Sequence, residues 1–220
     1  MKSICHGGCF SHFKTFPLLK VVLENKGIKT DTYYIPPFIL YEGEVVVLFL
    51  YNGMHFYDTE MYLKDIFCGV IKHENVTINR KMSFVDFFKE SKFRDIFFPS
   101  TVNRFLKKDA DLKNPFLVKL FEDKYVTRKT KMNKLGGTQR KLLSLYKTFS
   151  KTKDIVFDVA GLDSSGAILT FKLVEETIKN GGSAILLDGF EEMKGHTSKF
   201  ITLEWNDGRL PLQEKINLNF

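Results

Sequence analysis

Between residues 155 and 187 an apolar run, a helical face and a second apolar run follow one another, and this alternation limits the fold more than any other feature of the chain. Ile155-Val156-Phe157 is strand-sized. Ala167, Phe171, Val174 and Ile178 then recur at helical spacing, Gly181-Gly182 stops the helix, and Ala184-Ile185-Leu186-Leu187 forms the second run. A strand, helix, strand order predicts parallel strands joined by a right-handed crossover. Strands of such a sheet are covered on both faces, so they read as continuous apolar runs.

Upstream, Leu18 to Leu23 reads as a first strand. Val45 to Leu50, six β-branched, aromatic or leucine residues after the turn Tyr41-Glu42-Gly43-Glu44, reads as a buried strand ended by Asn52-Gly53. Residues 58–68 place Met61, Tyr62, Asp65 and Ile66 at helical spacing. From Met82 to Phe121 the chain is rich in Phe, Lys and Asp, with Phe87, Phe88, Phe93, Phe97 and Phe98 in short helical patterns broken at Phe98-Pro99, so a helical insertion is predicted over about residues 82–125. Lys129 to Lys153 carries eight lysines or arginines and no acid, while Leu142, Leu145, Tyr146 and Phe149 give that segment an apolar helical face. A last strand spans Phe200 to Trp205 and meets a turn at Asn206-Asp207-Gly208.

The 220 residues, 44% of them hydrophobic, suit one domain with a sizeable core. The expected organisation is an appendage at 1–17 and a single domain at 18–220, with a helical subdomain at about 82–150. A net charge of +7 favours an acidic partner: nucleotide phosphate, nucleic acid or an anionic membrane surface. The acid-free stretch has no aromatic-basic RNA motif beside it, so it reads as a solvated helix face and no nucleic-acid partner is expected. No apolar run approaches the roughly 20 residues that span a bilayer, and the N-terminus lacks the apolar core of a secretory signal, so the expected location is the cytoplasm. Three cysteines are an odd count without a disulfide framework. Cys5, His6, Cys9 and His12 have ligand chemistry suited to zinc, but they sit near a terminus without a second ligand pair, and no metal is expected there.

The residues that speak to function lie in one stretch. Leu135-Gly136-Gly137-Thr138-Gln139-Arg140 precedes a predicted helix; the strand after it ends in Asp158; and Ala160-Gly161-Leu162-Asp163 follows. This order resembles the second half of an ABC transporter ATP-binding domain. The resemblance spans about Leu18 to Leu210 and is carried by Leu135 onward. It implies an α/β, P-loop NTPase-like fold with a mostly parallel core sheet, flanking helices and a helical insertion. Gly136, Gly137, Thr138 and Gln139 match the signature whose helix N-terminus faces the γ-phosphate held by an opposing subunit. Asp158 matches the Walker B aspartate of the magnesium shell, and Gly161, Leu162 and Asp163 match the D-loop, which touches the partner subunit. Asp163 also reads simply as a helix N-cap.

The departures from the family pattern are equally specific. Gly136 replaces the signature serine, and Thr138 its second glycine. Val159 stands where the family places the glutamate that polarises attacking water. Phe190 falls at the switch histidine, and a phenyl ring has no nitrogen to donate. A phosphate loop needs Gly-x4-Gly-Lys-Ser/Thr. The loop here is Leu50-Tyr-Asn52-Gly53-Met-His-Phe-Tyr-Asp58, with one glycine and no lysine, and no glutamine precedes Gln139 in the chain. Each lost charge-assisted hydrogen bond costs about 1.5–3 kcal/mol, so ATP and magnesium are expected to bind weakly or not at all. The resemblance therefore implies a degenerate ATP-binding subunit at the inner face of a membrane. Its implied partners are a membrane-spanning transporter subunit and, in a homo- or heterodimer, another ABC ATPase subunit. A regulatory protein that keeps the fold and binds no nucleotide is the alternative.

Overall fold

The computed structural model describes residues 20–88, 91–107, 110, 113, 121 and 126–206. The appendage with Cys5, His6, Cys9 and His12 lies outside them, as do Asp207 and Gly208 of the expected last turn.

Five strands form the parallel sheet that the strand, helix, strand alternation predicts. These are β5 (Val45–Phe49), β7 (Ser83–Phe84), β8 (Asp154–Asp158), β9 (Ser183–Asp188) and β10 (Phe200–Thr202), in the order β10-β5-β9-β8-β7 with every pairing parallel. All residues of β5 and β9 are buried, as both-face coverage requires. One face carries Val46, Leu48, Leu50, Val156, Ile185 and Leu187. It packs against helix α1 (Phe56–Phe67) and two small antiparallel sheets. The first of these is β4 (Phe38–Tyr41), β1 (Val21–Asn25) and β6 (Val76–Ile78); the second is β11 (Glu204–Trp205), β3 (Tyr33–Ile35) and β2 (Ile28–Lys29). On the other face Val47, Ile155, Phe157, Ala184 and Leu186 meet α4 (Gly137–Phe149) and α5 (Ser164–Ile178) through Leu145, Phe149, Phe171, Val174 and Ile178. Each fully buried Leu, Ile, Val or Phe adds about 1.5–3 kcal/mol of transfer free energy, so this double-sided packing is a main source of the sheet's stability.

The end of the sheet away from the site is fastened by polar contacts. Arg80 pairs with both Glu42 and Asp154, Ser183 Oγ donates to Asp154 Oδ1 at 2.8 Å, and Lys199 Nζ lies 2.8 Å from Glu44 Oε1. Gly182, at φ +131°, turns the chain from α5 into β9. A Cβ there would lie 2.5 Å from the Lys153 Cβ, so both conformation and space demand glycine.

Several boundaries differ from the sequence-based expectation. The first strand runs from Val21 to Asn25, two residues past the expected end at Leu23, with Leu18 and Leu19 of the expected strand outside the described residues, and α1 starts at Phe56. The segment expected to be helical from Met82 opens with β7, which adds an edge strand to the parallel sheet, before α2 (Lys92–Phe97) and α3 (Val102–Lys107). Two paired residues are too few to show a strand period. The single strand expected over Phe200 to Trp205 is divided at Leu203: β10 extends the parallel sheet, and β11 pairs antiparallel with β3.

Candidate functional site

The carboxyl ends of β5, β9 and β8 lie side by side, and open α/β sheets bind their ligands outside that edge. Here the edge receives the loop at Asn52-Gly53, Asp188 and Asp158. The register pairs Phe49 with Asp188 and Leu187 with Asp158, so the two carboxylates end neighbouring strands.

Asp158 is already occupied. Its Oδ2 lies 2.9 Å from Lys141 Nζ, and its Oδ1 accepts the Ala160 N–H at 2.9 Å. Lys141 is fully buried on α4, and its ammonium also donates to the Val85 carbonyl at 3.4 Å. A buried charge needs this kind of pairing, because an isolated ammonium in the interior would be neutralised or expelled. Val159 is buried in the core that packs α4 and α5 on the sheet.

Asp188 has no cation facing it among the described residues. Burial pushes its carboxyl up to about 6. The backbone N–H groups of Phe190 and Gly189 pull in the opposite direction, while Glu192 and Asp158 add repulsion. The Phe190 N–H donates to Asp188 Oδ1 at 3.1 Å, and the Phe190 ring is half exposed.

The loop after β5 supplies no positive charge. Residues 51–63 contain no lysine or arginine. Tyr51 takes a left-handed conformation at φ 60°, and Asn52, Gly53, Met54 and His55 are exposed. Phe56 turns back over the strand end: a Cβ on Gly189 would lie 3.1 Å from the Phe56 ring and 3.4 Å from Asn52 Cβ. Asp58 adds a carboxylate to the first turn of α1, the end of a helix that otherwise attracts anions.

The start of α4 packs on the start of α5. Gly136 is the N-cap of α4, and its N–H donates to Gln139 Oε1 at 3.2 Å; lacking a side chain, it returns no bond. A Cβ on Gly137 would lie 2.9 Å from the Gly161 carbonyl, and one on Gly166 only 2.2 Å from Thr138 Oγ1. Gly137, Thr138, Gly161 and Leu162 are thereby brought together. Asp163 caps α5, its Oδ1 accepting the Gly166 N–H at 2.6 Å.

No known family and no curated protein matches the chain by sequence. Its structure does match solved ones. A metal-chelate type ABC transporter in an inward-facing conformation superposes with a TM-score of 0.61 at 16% identity, over 86% of this chain and 83% of the other. An ABC transporter ATP-binding protein from Pyrococcus furiosus gives 0.61 at 18% identity, over 82% and 96%. The chain has the ABC ATP-binding fold. The same fold extends to an archaeal ribosome recycling factor solved with the ribosomal stalk protein, at a TM-score of 0.56 and 13% identity over 87% of this chain and 39% of the other. An ABC fold therefore does not by itself choose a biological task.

Sequence reasoning missed Lys141 and Asp188. The signal for Lys141 was its place four and eight residues before Leu145 and Phe149, on the buried face of its helix. Asp188 carried a weaker one, a carboxylate closing a six-residue run of buried strand.

Proposed function

We propose that this chain is the nucleotide-binding-type subunit of an ABC transport complex, silent as an ATPase at its own site, and that it serves an active partner ATPase. The Lys141–Asp158 pair carries the reading. Magnesium-bound ATP does not fit the residues present. The aspartate that would orient the magnesium shell is neutralised by an internal ammonium, and a divalent cation beside that ammonium is repelled. The loop that would wrap the phosphates offers Phe56 and Asp58 in place of a lysine and a hydroxyl. What remains usable is the start of α4 at Gly136, Gly137, Thr138 and Gln139, which would face the nucleotide of a second ABC ATPase subunit. A membrane-spanning subunit would hold the pair at the inner face of the membrane; likeness to transporter ATP-binding proteins supports that setting.

The covered strand end at Phe56 and Gly189 favours a second reading, a regulatory protein that uses the fold as a platform and contacts no nucleotide at all.

Two measurements test these readings. Titration of the purified chain with a fluorescent ATP analogue and magnesium is expected to show no competable binding; micromolar competable binding would overturn both. In the reconstituted complex, Gly136→Trp is expected to lower the partner's ATPase rate at least tenfold; a Cβ at Gly136 meets nothing within 4 Å, and circular dichroism checks that the variant folds. An unchanged rate removes the transport-support reading and leaves the regulatory one.

A further inference from the structure

Helix α2 and the turn after it expose four large apolar side chains together: Phe93 at 65%, Ile96 at 71%, Phe97 at 62% and Phe98 at 67%. The Phe93 and Phe97 rings lie 4.9 Å apart, so they form one surface. Singly exposed apolar residues need no explanation, but a contiguous aromatic patch does.

A basic ribbon is fastened beside that patch. Asn133 Nδ2 donates to the Asp95 carbonyl of α2 at 2.7 Å. The Met132 N–H donates to the Ser100 carbonyl at 2.8 Å, Val102 N–H to Thr130 at 2.9 Å and Asn103 N–H to Arg128 at 3.0 Å. These bonds set the ribbon at 128–134 against the segment at 95–103. Arg104, Lys107, Arg128, Lys129, Lys131 and Lys134 are all exposed across the two segments, and Asp95 is the one acid in residues 91–107 and 126–135.

We propose that this face docks directly on an anionic lipid bilayer, with the α2 aromatics entering the interface and the ribbon cations meeting the headgroups. Charge complementarity selects that occupant: apolar aromatics flanked by lysine and arginine, on a chain of net charge +7, match a surface whose apolar interior lies beneath a negative layer. The contact is made by this chain itself. It does not require nucleotide, so its failure and that of the reading above are separable.

The test is cosedimentation of the full chain with phosphatidylcholine vesicles prepared with and without phosphatidylglycerol, at low and high salt. Binding is expected only with phosphatidylglycerol, and it should weaken as salt rises. Lys131→Glu with Lys134→Glu is expected to reduce partitioning more than tenfold, since each cation near an anionic surface contributes about fivefold. Phe97→Ser with Phe98→Ser should reduce it about tenfold or more. Val70→Ser, which removes an exposed apolar side chain elsewhere, should leave it unchanged. Circular dichroism and the urea midpoint check that each variant folds as the parent does. Absence of binding to the anionic vesicles overturns the proposal and turns attention to an acidic protein partner; binding that both double variants retain overturns it equally.

Discussion

Strands β8 and β9 are neighbours that end in the same residue type, and the fold treats the two carboxylates in opposite ways. Asp158 is paired with Lys141 at 2.9 Å. At Asp188 no ammonium faces the group among the described residues, and burial raises its carboxyl to about 6, so that it takes up a proton as the pH falls through that value. One buried acid is answered by a cation, while the other carries a desolvation penalty that backbone N–H groups offset only in part. The difference also separates two kinds of evidence about function. Asp158 reaches the edge already bonded to an ammonium, whereas Asp188 meets backbone N–H groups and carries a raised value of the kind that clusters at functional sites.

The comparison is broken most severely by removing the ammonium. Lys141→Met leaves Asp158 buried and unpaired, and urea denaturation is expected to show a loss of about 3–5 kcal/mol. Lys141→Met combined with Asp158→Leu removes both charges and should recover most of that loss, since a well-packed apolar pair is often neutral or better than a buried ion pair. A single variant no worse than an ordinary surface substitution would show that the pair does not hold α4 to the strand end.

Equalising the two acids from the other side gives a smaller effect. The folded-state value of Asp188 lies above that of an unfolded aspartate. Its contribution to stability is therefore complete below about pH 4 and is lost as pH rises through about 6. Asp188→Asn removes the ionisation and should stabilise the protein near pH 7 by on the order of 2 kcal/mol. The gain should shrink toward zero as the pH is lowered to about 4. Denaturation of both proteins across that range checks it, and a constant difference at every pH would assign the effect to packing.

How much of this was legible beforehand follows the range of the forces involved. The strands at 155–157 and 184–187, the α5 face and the Gly181-Gly182 stop were readable because each is set by local pattern: a continuous apolar run, a 3.6-residue period and a left-handed turn. The strands β7 and β6 were not, for pairs and triplets of residues take strand form only when a neighbour supplies hydrogen bonds. The division of 200–205 at Leu203 is likewise decided by two different partner strands. Phe56 and Gly53 could be seen to be wrong for a phosphate loop, yet the ring's place over Gly189 depends on a contact 133 residues away in sequence, between positions 56 and 189. Lys141 shows the same limit. Its position on the buried face was visible, but its partner is 17 residues distant and only the packing of α4 on β8 unites them.

The smallest effect sharpens the comparison at the loops that follow the two strands. After β8, Asp163 caps a long helix; at the end of β9, Asp188 meets the backbone N–H groups of Gly189 and Phe190, and a short 3-10 turn follows at Glu192–Gly195. Asp163→Ala should leave the Gly166 N–H without its acceptor and lower stability by about 1 kcal/mol, read from the urea midpoint. Asp163→Asn should retain most of the bond, because its side-chain oxygen still accepts. The cost stays below that at Lys141 because Asp163 is exposed and water can replace the lost acceptor. Gly166 gives the experiment its control. Its missing Cβ leaves room both for Asp163 Oδ1 at 2.9 Å and for Thr138 Oγ1 at 2.2 Å from α4, so Gly166→Ala crowds the cap and the α4 contact together. If Asp163→Ala proved as damaging as Gly166→Ala, the aspartate would be holding α4 against α5 as well as starting a helix.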